Sequence, residues 1–173
     1  MKLYEIHPGF EGLDGLRQVE RPAPEPGPRQ VLVRMRAASL NYRDQIMVRN
    51  AYRTPITRPL VPLSDGAGEV AAIGEGVTRF QPGDRVAATF FQVWIDGRPP
   101  AGFGALGNPL DGVLTEYIVL HEDGLVAIPD VLSFEEAACL PCAALTAWNA
   151  LWGSGRPLRA GQSVLVQGTG VAR

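Results

Sequence analysis

The sequence is poor in the residues that most often bind zinc. It contains two histidines, His7 and His121, and two cysteines, Cys139 and Cys142. A tetrahedral zinc site needs about four ligands, and both histidines are distant from the cysteines in sequence. The C-x-x-C spacing also occurs in redox pairs and in half of a zinc site. Because the flanking residues 137–145 are mostly apolar, we favour buried free thiols over either alternative.

The chain also lacks a strong charge of one sign and any long apolar segment. Its net charge is −2, with no basic cluster, so it has no electrostatic footprint for nucleic acid and no basic helix for a membrane surface. No apolar run approaches the ~20 residues that cross a bilayer. Residues 1–7 lack the apolar core of a secretory signal. We therefore expect a soluble cytoplasmic protein whose partner is a small-molecule substrate.

Turn-forming residues are abundant, with 20 glycines and 15 prolines among 173 residues. They separate short segments with strand-like patterns, which is typical of a barrel or sandwich. After about residue 125 the pattern changes to helices at 133–138, capped by Ser133, and at 143–152. The predicted strands are 1–7, 16–21, 30–38, 69–73, 85–90, 113–120 and 124–128. The first part of the chain is therefore predicted to be mainly β.

A polar cluster follows the predicted strand 30–38. Asn41, Tyr42, Arg43 and Asp44 stand where an apolar strand would otherwise continue. Asn and Asp often bond to their own backbone at such places, so a locally capped loop explains the cluster as well as a binding site does. Asp65 lies in a second tight, glycine-rich region and could meet this loop.

The C-terminal segment resembles the beginning of a dinucleotide-binding fingerprint. A strand pattern at 164–166 runs into Gly168 and Gly170, which would allow a tight turn and close approach to a pyrophosphate. Arg173 occupies the place of the third glycine, so the motif is incomplete. A lone parallel strand has no partner in this chain, and we predict that it is frayed or pairs with another chain.

Four sequence segments together carry a family resemblance. They are 39–44, 63–70, 80–86 and 145–148, and they resemble the medium-chain dehydrogenase/reductase superfamily, most closely its zinc-independent quinone oxidoreductase-like branch. The resemblance implies a GroES-like β-barrel with a few helices, followed by the first strand of a truncated Rossmann domain. The implied divisions are a catalytic domain at 1–130, a helical connection at 131–160 and the start of the cofactor domain at 161–173.

The resemblance also implies that no catalytic metal is bound. Zinc-dependent members hold their metal with a cysteine, a histidine and a second cysteine, and the matching positions here are Asn41, Ser64 and Cys142. The glutamate beside the ligand histidine corresponds to Asp65. The four-cysteine lobe that binds structural zinc has no counterpart in residues 91–112.

The activity that the resemblance implies is hydride transfer between NADP or NAD and a quinone, an enone or a small carbonyl or alcohol. Asn41 and Tyr42 match catalytic positions that line the nicotinamide cleft; Tyr42 either donates a proton or forms a wall. Thr146 matches a nicotinamide contact, and Gly168 and Gly170 match cofactor-binding positions. Cofactor binding is expected to be incomplete in this chain. A homodimer is compatible with the resemblance.

Two other functions remain open from the sequence. A GroES-like barrel without its cofactor domain could serve as a non-catalytic binding or assembly module. A thiol redox protein using Cys139 and Cys142 is the less favoured alternative.

Overall fold

The computed structural model describes residues 1–9, 12–102, 104–153, 155 and 157–167, which form a mainly β fold with short helices near the C-terminal end. None of the helices among these residues has the length and hydrophobicity needed to cross a bilayer. The strands are β1 (Lys2–Ile6), β2 (Leu16–Glu20), β3 (Gln30–Ser39), β4 (Asp65–Ile73), β5 (Arg85–Ala88), β6 (Ala105–Leu106), β7 (Pro109–Leu110), β8 (Tyr117–His121) and β9 (Leu125–Ala127). The α-helices are α1 (Tyr42–Val48), α2 (Phe134–Ala138) and α3 (Leu145–Trp148).

A five-stranded antiparallel sheet with the order β8-β3-β4-β5-β9 organises the molecule. Strands β1 and β2 form a separate antiparallel pair, and β6 and β7 form a short parallel pair. In β3, Val31 and Val33 point into the core, as the alternating pattern predicts. The prediction of a mainly β fold is confirmed.

The main hydrophobic core lies against this sheet and contains aliphatic side chains from each of its strands. Burying one such side chain stabilises the fold by about 1.5–3 kcal/mol. The core residues are Val31, Val33, Leu63, Val70, Phe80, Val86, Ala88, Leu106, Val113, Ile118, Leu120 and Leu125.

Strand β4 begins earlier than predicted, at Asp65 instead of Glu69. Gly66 and Gly68 therefore lie inside the strand. A Cβ at Gly68 would stand 2.3 Å from the carbonyl oxygen of Arg34 on β3. The absence of a side chain at Gly68 allows this close backbone approach, and β3 and β4 pair up to the Ser39–Asp65 position.

Strand β8 begins later than predicted, at Tyr117 instead of residue 113. The backbone N–H of Val113 donates to the carbonyl of Leu63, and that of Glu116 donates to the carbonyl of Lys2. Residues 113–116 thus bond to other segments before β8 joins the main sheet.

The C-terminal part of the chain contains a helical segment and an extended tail. Wide π-type turns at Leu140–Ala144 and Asn149–Gly153 flank α3 and join it into one helical segment, 140–153. Residues 162–167 have no regular secondary structure, and Leu165 and Val166 are exposed. The strand predicted there is not formed, because no other strand of the described residues lies beside it to supply a ladder of hydrogen bonds.

Candidate functional site

The site begins where β3 ends and α1 starts. Asn41 is the N-cap of α1, with extended backbone angles. Its backbone N–H donates to Asp44 Oδ2 at 2.7 Å, and the backbone N–H of Asp44 donates to the Asn41 carbonyl at 3.0 Å. Asp44 therefore acts as a local cap, and the cap fixes the backbone from which the Asn41 side chain projects.

Arg43 connects α1 to the loop around β6 and β7 by hydrogen bonds. Its guanidinium donates to the carbonyls of Leu106 and Asn108, both at 2.9 Å. The same group lies 5.1 Å from the ring centroids of Tyr52 and Phe90. These four contacts give Arg43 a structural role in orienting the loop that follows β3.

Asp65 lies at the centre of the site and is fully buried. Its Oδ1 accepts a hydrogen bond from Ser64 Oγ at 2.8 Å, and its Oδ2 accepts one from the backbone N–H of Cys142 at 2.9 Å. Burial raises the pKa of Asp65, against the opposing effects of these hydrogen bonds and the positive charge of Arg43. Burial likewise raises the pKa of Asp44.

The side-chain amide of Asn41 lies close enough to Asp65 to favour its ionised form. Within the described residues, however, Asn41 Nδ2 is buried and makes no hydrogen bond of ordinary geometry. A buried donor without a partner is uncommon and costs about 1–3 kcal/mol, so its presence requires an explanation. A ligand carbonyl oxygen is the chemical group that such an N–H would bind.

The helical segment 140–153 brings Cys142 and Thr146 to the same place. The Thr146 side chain lies close enough to the Cys142 thiol to favour its ionised form. Burial and the nearby Asp65 carboxylate raise the pKa of that thiol. Cys142 is therefore held as a neutral thiol at neutral pH, which makes it a poor nucleophile.

The prediction of two free thiols agrees with the structure, but the prediction that both are buried is wrong. Cys139 is exposed, and its Sγ donates to the carbonyl of Glu135 at 3.3 Å, whereas Cys142 is half-buried. Helix α2 turns Ala137 and Ala138 toward the sheet. The next residue, Cys139, is then rotated outward by the helical geometry.

Two of the three positions that match zinc ligands offer the wrong chemistry for that metal. Asn41 supplies an amide and Ser64 a hydroxyl already donating to Asp65, whereas Cys142 alone keeps a thiol. Zinc sites use thiolate, imidazole or carboxylate ligands. Among the described residues, no group of three or more His, Cys, Asp or Glu side chains could hold a metal ion. These residues do not fit a catalytic zinc.

A cavity of about 830 Å³ opens beside Cys142 and Thr146. Phe90, Phe91 and Trp94 also line it and form an aromatic wall, with ring centroids 4.7 Å apart for the first pair and 5.4 Å for the second. The indole N–H of Trp94 donates to the carbonyls of Asp96 and Gly97, which closes the loop on itself. The cavity therefore has one aromatic wall and one wall with polar groups.

The structure brings together some of the predicted site residues. Asn41, Cys142 and Thr146 are connected through Asp65, and Tyr42 is 38% exposed at the first position of α1. Gly168 and Gly170 lie outside the described residues. The sequence interpretation missed the aromatic wall, although three aromatic residues within positions 90–94 were a usable signal.

Known proteins resemble this chain over most of its length. The model of the alcohol dehydrogenase GroES-like domain matches residues 27–130. A zinc-type alcohol dehydrogenase-like protein of Schizosaccharomyces pombe is 46% identical over 171 residues, covering 96% of this chain and 49% of that protein. A chloroplastic quinone oxidoreductase of Triphysaria versicolor is 37% identical, covering 81% and 38%.

A solved structure shares the fold as well. The crystal structure of an NAD-dependent alcohol dehydrogenase superposes with a TM-score of 0.79 at 36% identity, covering 87% of this chain and 46% of that chain. The chain spans about half the length, or less, of the relatives it matches.

Proposed function

This chain belongs to the medium-chain dehydrogenase/reductase superfamily of oxidoreductases and contains its GroES-like domain, and from that premise we propose that it forms the substrate side of a zinc-independent, NAD(P)H-dependent reductase. The proposed substrates are quinones, enones or other small activated carbonyl compounds. The names of the quinone oxidoreductase and alcohol dehydrogenase relatives support this range.

The observation that carries the proposal is the buried Nδ2 of Asn41, which makes no hydrogen bond of ordinary geometry among the described residues. It stands at a position where zinc-dependent members place a metal ligand, and at the position of the ligand histidine stands Ser64, whose hydroxyl donates to Asp65. A carbonyl that is not bound to a metal must be oriented and polarised by hydrogen bonds. An N–H that lacks a partner of ordinary geometry in the described part of the chain is suited to that role.

NAD(P)H, when bound, supplies the hydride. In this proposal Asn41 donates its Nδ2–H to a carbonyl oxygen of the ligand in the cleft. Thr146 contacts the nicotinamide from the helical segment, and Tyr42 forms the outer wall. Asn41 and Thr146 are connected to the same buried carboxylate, which supports their acting on one ligand. Gly168 and Gly170 are proposed to approach the cofactor phosphates.

The aromatic wall supports a planar substrate. Phe91 and Trp94 line the same cavity as Cys142 and Thr146. A second cavity of about 380 Å³ with almost entirely apolar walls adjoins it and shares Phe90, Pro141 and Leu145. An unsaturated carbonyl compound with an apolar substituent fits this combination of walls.

We also propose the domain division 1–130, 131–160 and 161–173. The family match ends at residue 130. Beyond it, the helical segment exposes Leu145, Trp148 and Trp152, as an element that packs against further protein would. The proposal also includes NAD or NADP as the cofactor, a homodimer as the assembly and the cytoplasm as the location.

Kinetics with the intact protein test the proposed function. NADH and NADPH are each offered with 1,4-benzoquinone, an α,β-unsaturated ketone and a short-chain aldehyde, before and after dialysis against a strong chelator. We expect reduction of the quinone or the enone, with kcat unchanged after chelation. Loss of activity on chelation that zinc restores would contradict zinc independence. No change in NAD(P)H fluorescence at millimolar cofactor would favour a non-catalytic binding barrel instead.

A further inference from the structure

Three segments that are distant in sequence meet at one buried side chain. They are the N-terminus of α1 at Asn41, the start of β4 at Ser64 and Asp65, and the helical segment at Cys142. The Asp65–Cys142 hydrogen bond joins residues 77 positions apart. Asp65 is fully buried and lies beside the Asn41 amide. Its carboxylate is therefore the common partner of the segments that carry the proposed ligand contacts.

The hydrogen bond between the Cys142 N–H and Asp65 caps the start of the helical segment. The first N–H groups of a helix lack partners within it and are usually capped by a nearby side chain. Here the segment begins at Leu140, directly after Cys139, and Pro141 supplies no N–H. Cys139 makes no side-chain capping bond. A carboxylate from β4 caps the Cys142 N–H instead, which ties the turn bearing Thr146 to the sheet.

We propose that Asp65 is the positioning residue of this site, holding the Cys142–Thr146 turn beside the Asn41 amide in the geometry that contacts the nicotinamide. This inference rests on the proposed function. Asp65 has no exposed surface, so it acts through Asn41 and Cys142 and does not touch a ligand itself.

The electrostatics of the site agree with this role. Burial raises the pKa of Asp65, so the fold keeps a carboxyl group where its charged form is disfavoured. Both oxygens are used, one by Ser64 Oγ and one by the Cys142 N–H. A carboxyl needed only to fill space could be replaced by an apolar side chain at little cost. An apolar side chain could not accept the two hydrogen bonds that Asp65 accepts from Ser64 and Cys142.

Two substitutions at Asp65 and one matched control test the inference. Asp65→Ala removes both acceptors, whereas Asp65→Asn keeps one acceptor oxygen and nearly the same volume. The control is Glu122→Gln, because Glu122 is another fully buried carboxyl, bonded to Thr78, Arg79 and Arg29 and not to the site. Each variant of the intact protein is titrated with NADH and NADPH by fluorescence, and KM and kcat are measured separately.

We expect Asp65→Ala to raise the dissociation constant of NAD(P)H about tenfold, the effect of losing one good hydrogen bond. Asp65→Asn should restore binding to within about threefold of the wild type, and Glu122→Gln should leave it unchanged. The amide proton of Cys142, followed by NMR, should shift upfield and exchange faster in Asp65→Ala only. Thermal unfolding of every variant separates these effects from a loss of folded protein.

The outcomes distinguish the two proposals. A wild-type protein that binds neither NADH nor NADPH overturns the proposed function and this inference with it. A wild type that binds the cofactor, together with a folded Asp65→Ala that binds it equally well, overturns the positioning role alone. Should Asp65→Ala not fold, Asp65→Asn decides the matter: an unmoved Cys142 amide signal with tenfold weaker binding would contradict the role in holding that turn.

Discussion

Glu122 and Asp65 are both fully buried acidic side chains, and they have opposite electrostatic character. Glu122 accepts hydrogen bonds from the backbone N–H groups of Thr78 and Arg79 and from Arg29 Nε, all at 2.9–3.0 Å. These contacts, led by the Thr78 N–H, lower the pKa of Glu122 to about 2 despite burial. At Asp65, burial dominates and the pKa is raised.

The difference lies in the donors directed at each carboxylate. Glu122 accepts two backbone N–H groups, and Arg29 also donates to it directly. Asp65 accepts one backbone N–H, and Arg43 acts on it only through its charge, because its guanidinium donates to the carbonyls of Leu106 and Asn108. Glu122 therefore joins two turns as an ionised structural anchor, whereas burial outweighs the donors at Asp65. Burial of a carboxyl group does not by itself distinguish these roles; the donors directed at it do.

The largest effect on stability is expected from Glu122→Ala. It leaves the N–H groups of Thr78 and Arg79 without their acceptor and removes the partner of Arg29. We expect the melting temperature to fall by about 5–10 °C in calorimetry, with Glu122→Gln losing less. NAD(P)H binding at the remaining folded fraction should not change. An equal fall in cofactor affinity would remove the functional contrast between the two centres.

Arg43→Met tests the other side of the contrast. It removes two charge-assisted hydrogen bonds and the contacts with Tyr52 and Phe90, so we expect a loss of about 2–3 kcal/mol in urea unfolding. The matched control is Arg36→Met, whose ion pair with Glu69 is exposed and should contribute about 0–1 kcal/mol. Equal losses in the two variants would show that Arg43 is not a special anchor.

The pH dependence of stability should also have opposite signs at Glu122 and at Asp44, a second acidic side chain of the Asp65 site whose pKa is raised. The folded-state pKa of Glu122 is depressed, so its contribution is present above its ordinary pKa of 4.5 and is lost as the pH falls toward 2. Asp44 has a raised pKa, so its folded form binds protons more readily and stability falls as the pH rises from 3.8 through that raised value.

Urea unfolding across pH 2–8, with Asp44→Asn and Glu122→Gln beside the wild type, measures this difference. Relative to Asp44→Asn, the wild type should lose stability with rising pH above 3.8. Relative to Glu122→Gln, it should gain stability as the pH rises from about 2 to 4.5. Parallel pH profiles for all three proteins would refute the opposite signs.

The smallest effect is expected from Tyr42→Phe. Tyr42 is 38% exposed at the edge of the site, and as a wall it needs its ring and not its hydroxyl. We expect kcat for the quinone or enone to change less than about threefold, whereas general acid catalysis typically contributes 10²–10⁴-fold. Tyr42→Ala should instead raise KM. A hundredfold fall in kcat for Tyr42→Phe alone would identify Tyr42 as the proton donor.

Local patterns account for the parts of the fold that the sequence predicted well. Alternation in 30–38 gave β3, and Ser133 caps α2 as expected, with its Oγ accepting the Glu136 N–H at 3.1 Å and Glu136 Oε2 accepting the Ser133 N–H at 2.8 Å. These features depend on residues within a few positions of each other. The family motifs supplied Asn41, Tyr42 and Thr146, whose proposed roles remain predictions.

The connections between segments could not be predicted in the same way. The bond from Asp65 to Cys142 depends on the pairing of β3 with β4 and on the packing of α2 against that sheet. No local sequence pattern predicts that a carboxylate will accept a hydrogen bond from a particular backbone N–H 77 residues away. The same holds for the outward rotation of Cys139, which follows from the inward packing of Ala137 and Ala138.

The loop closed by Trp94 has a consequence for protein engineering. Its indole donates to two carbonyls of the same loop, and Gly97 has a positive φ of 63°, which favours glycine there. Val93 and Ile95 are largely exposed. Variation of this loop is therefore best confined to Val93 and Ile95, with Trp94 and Gly97 kept to preserve its shape.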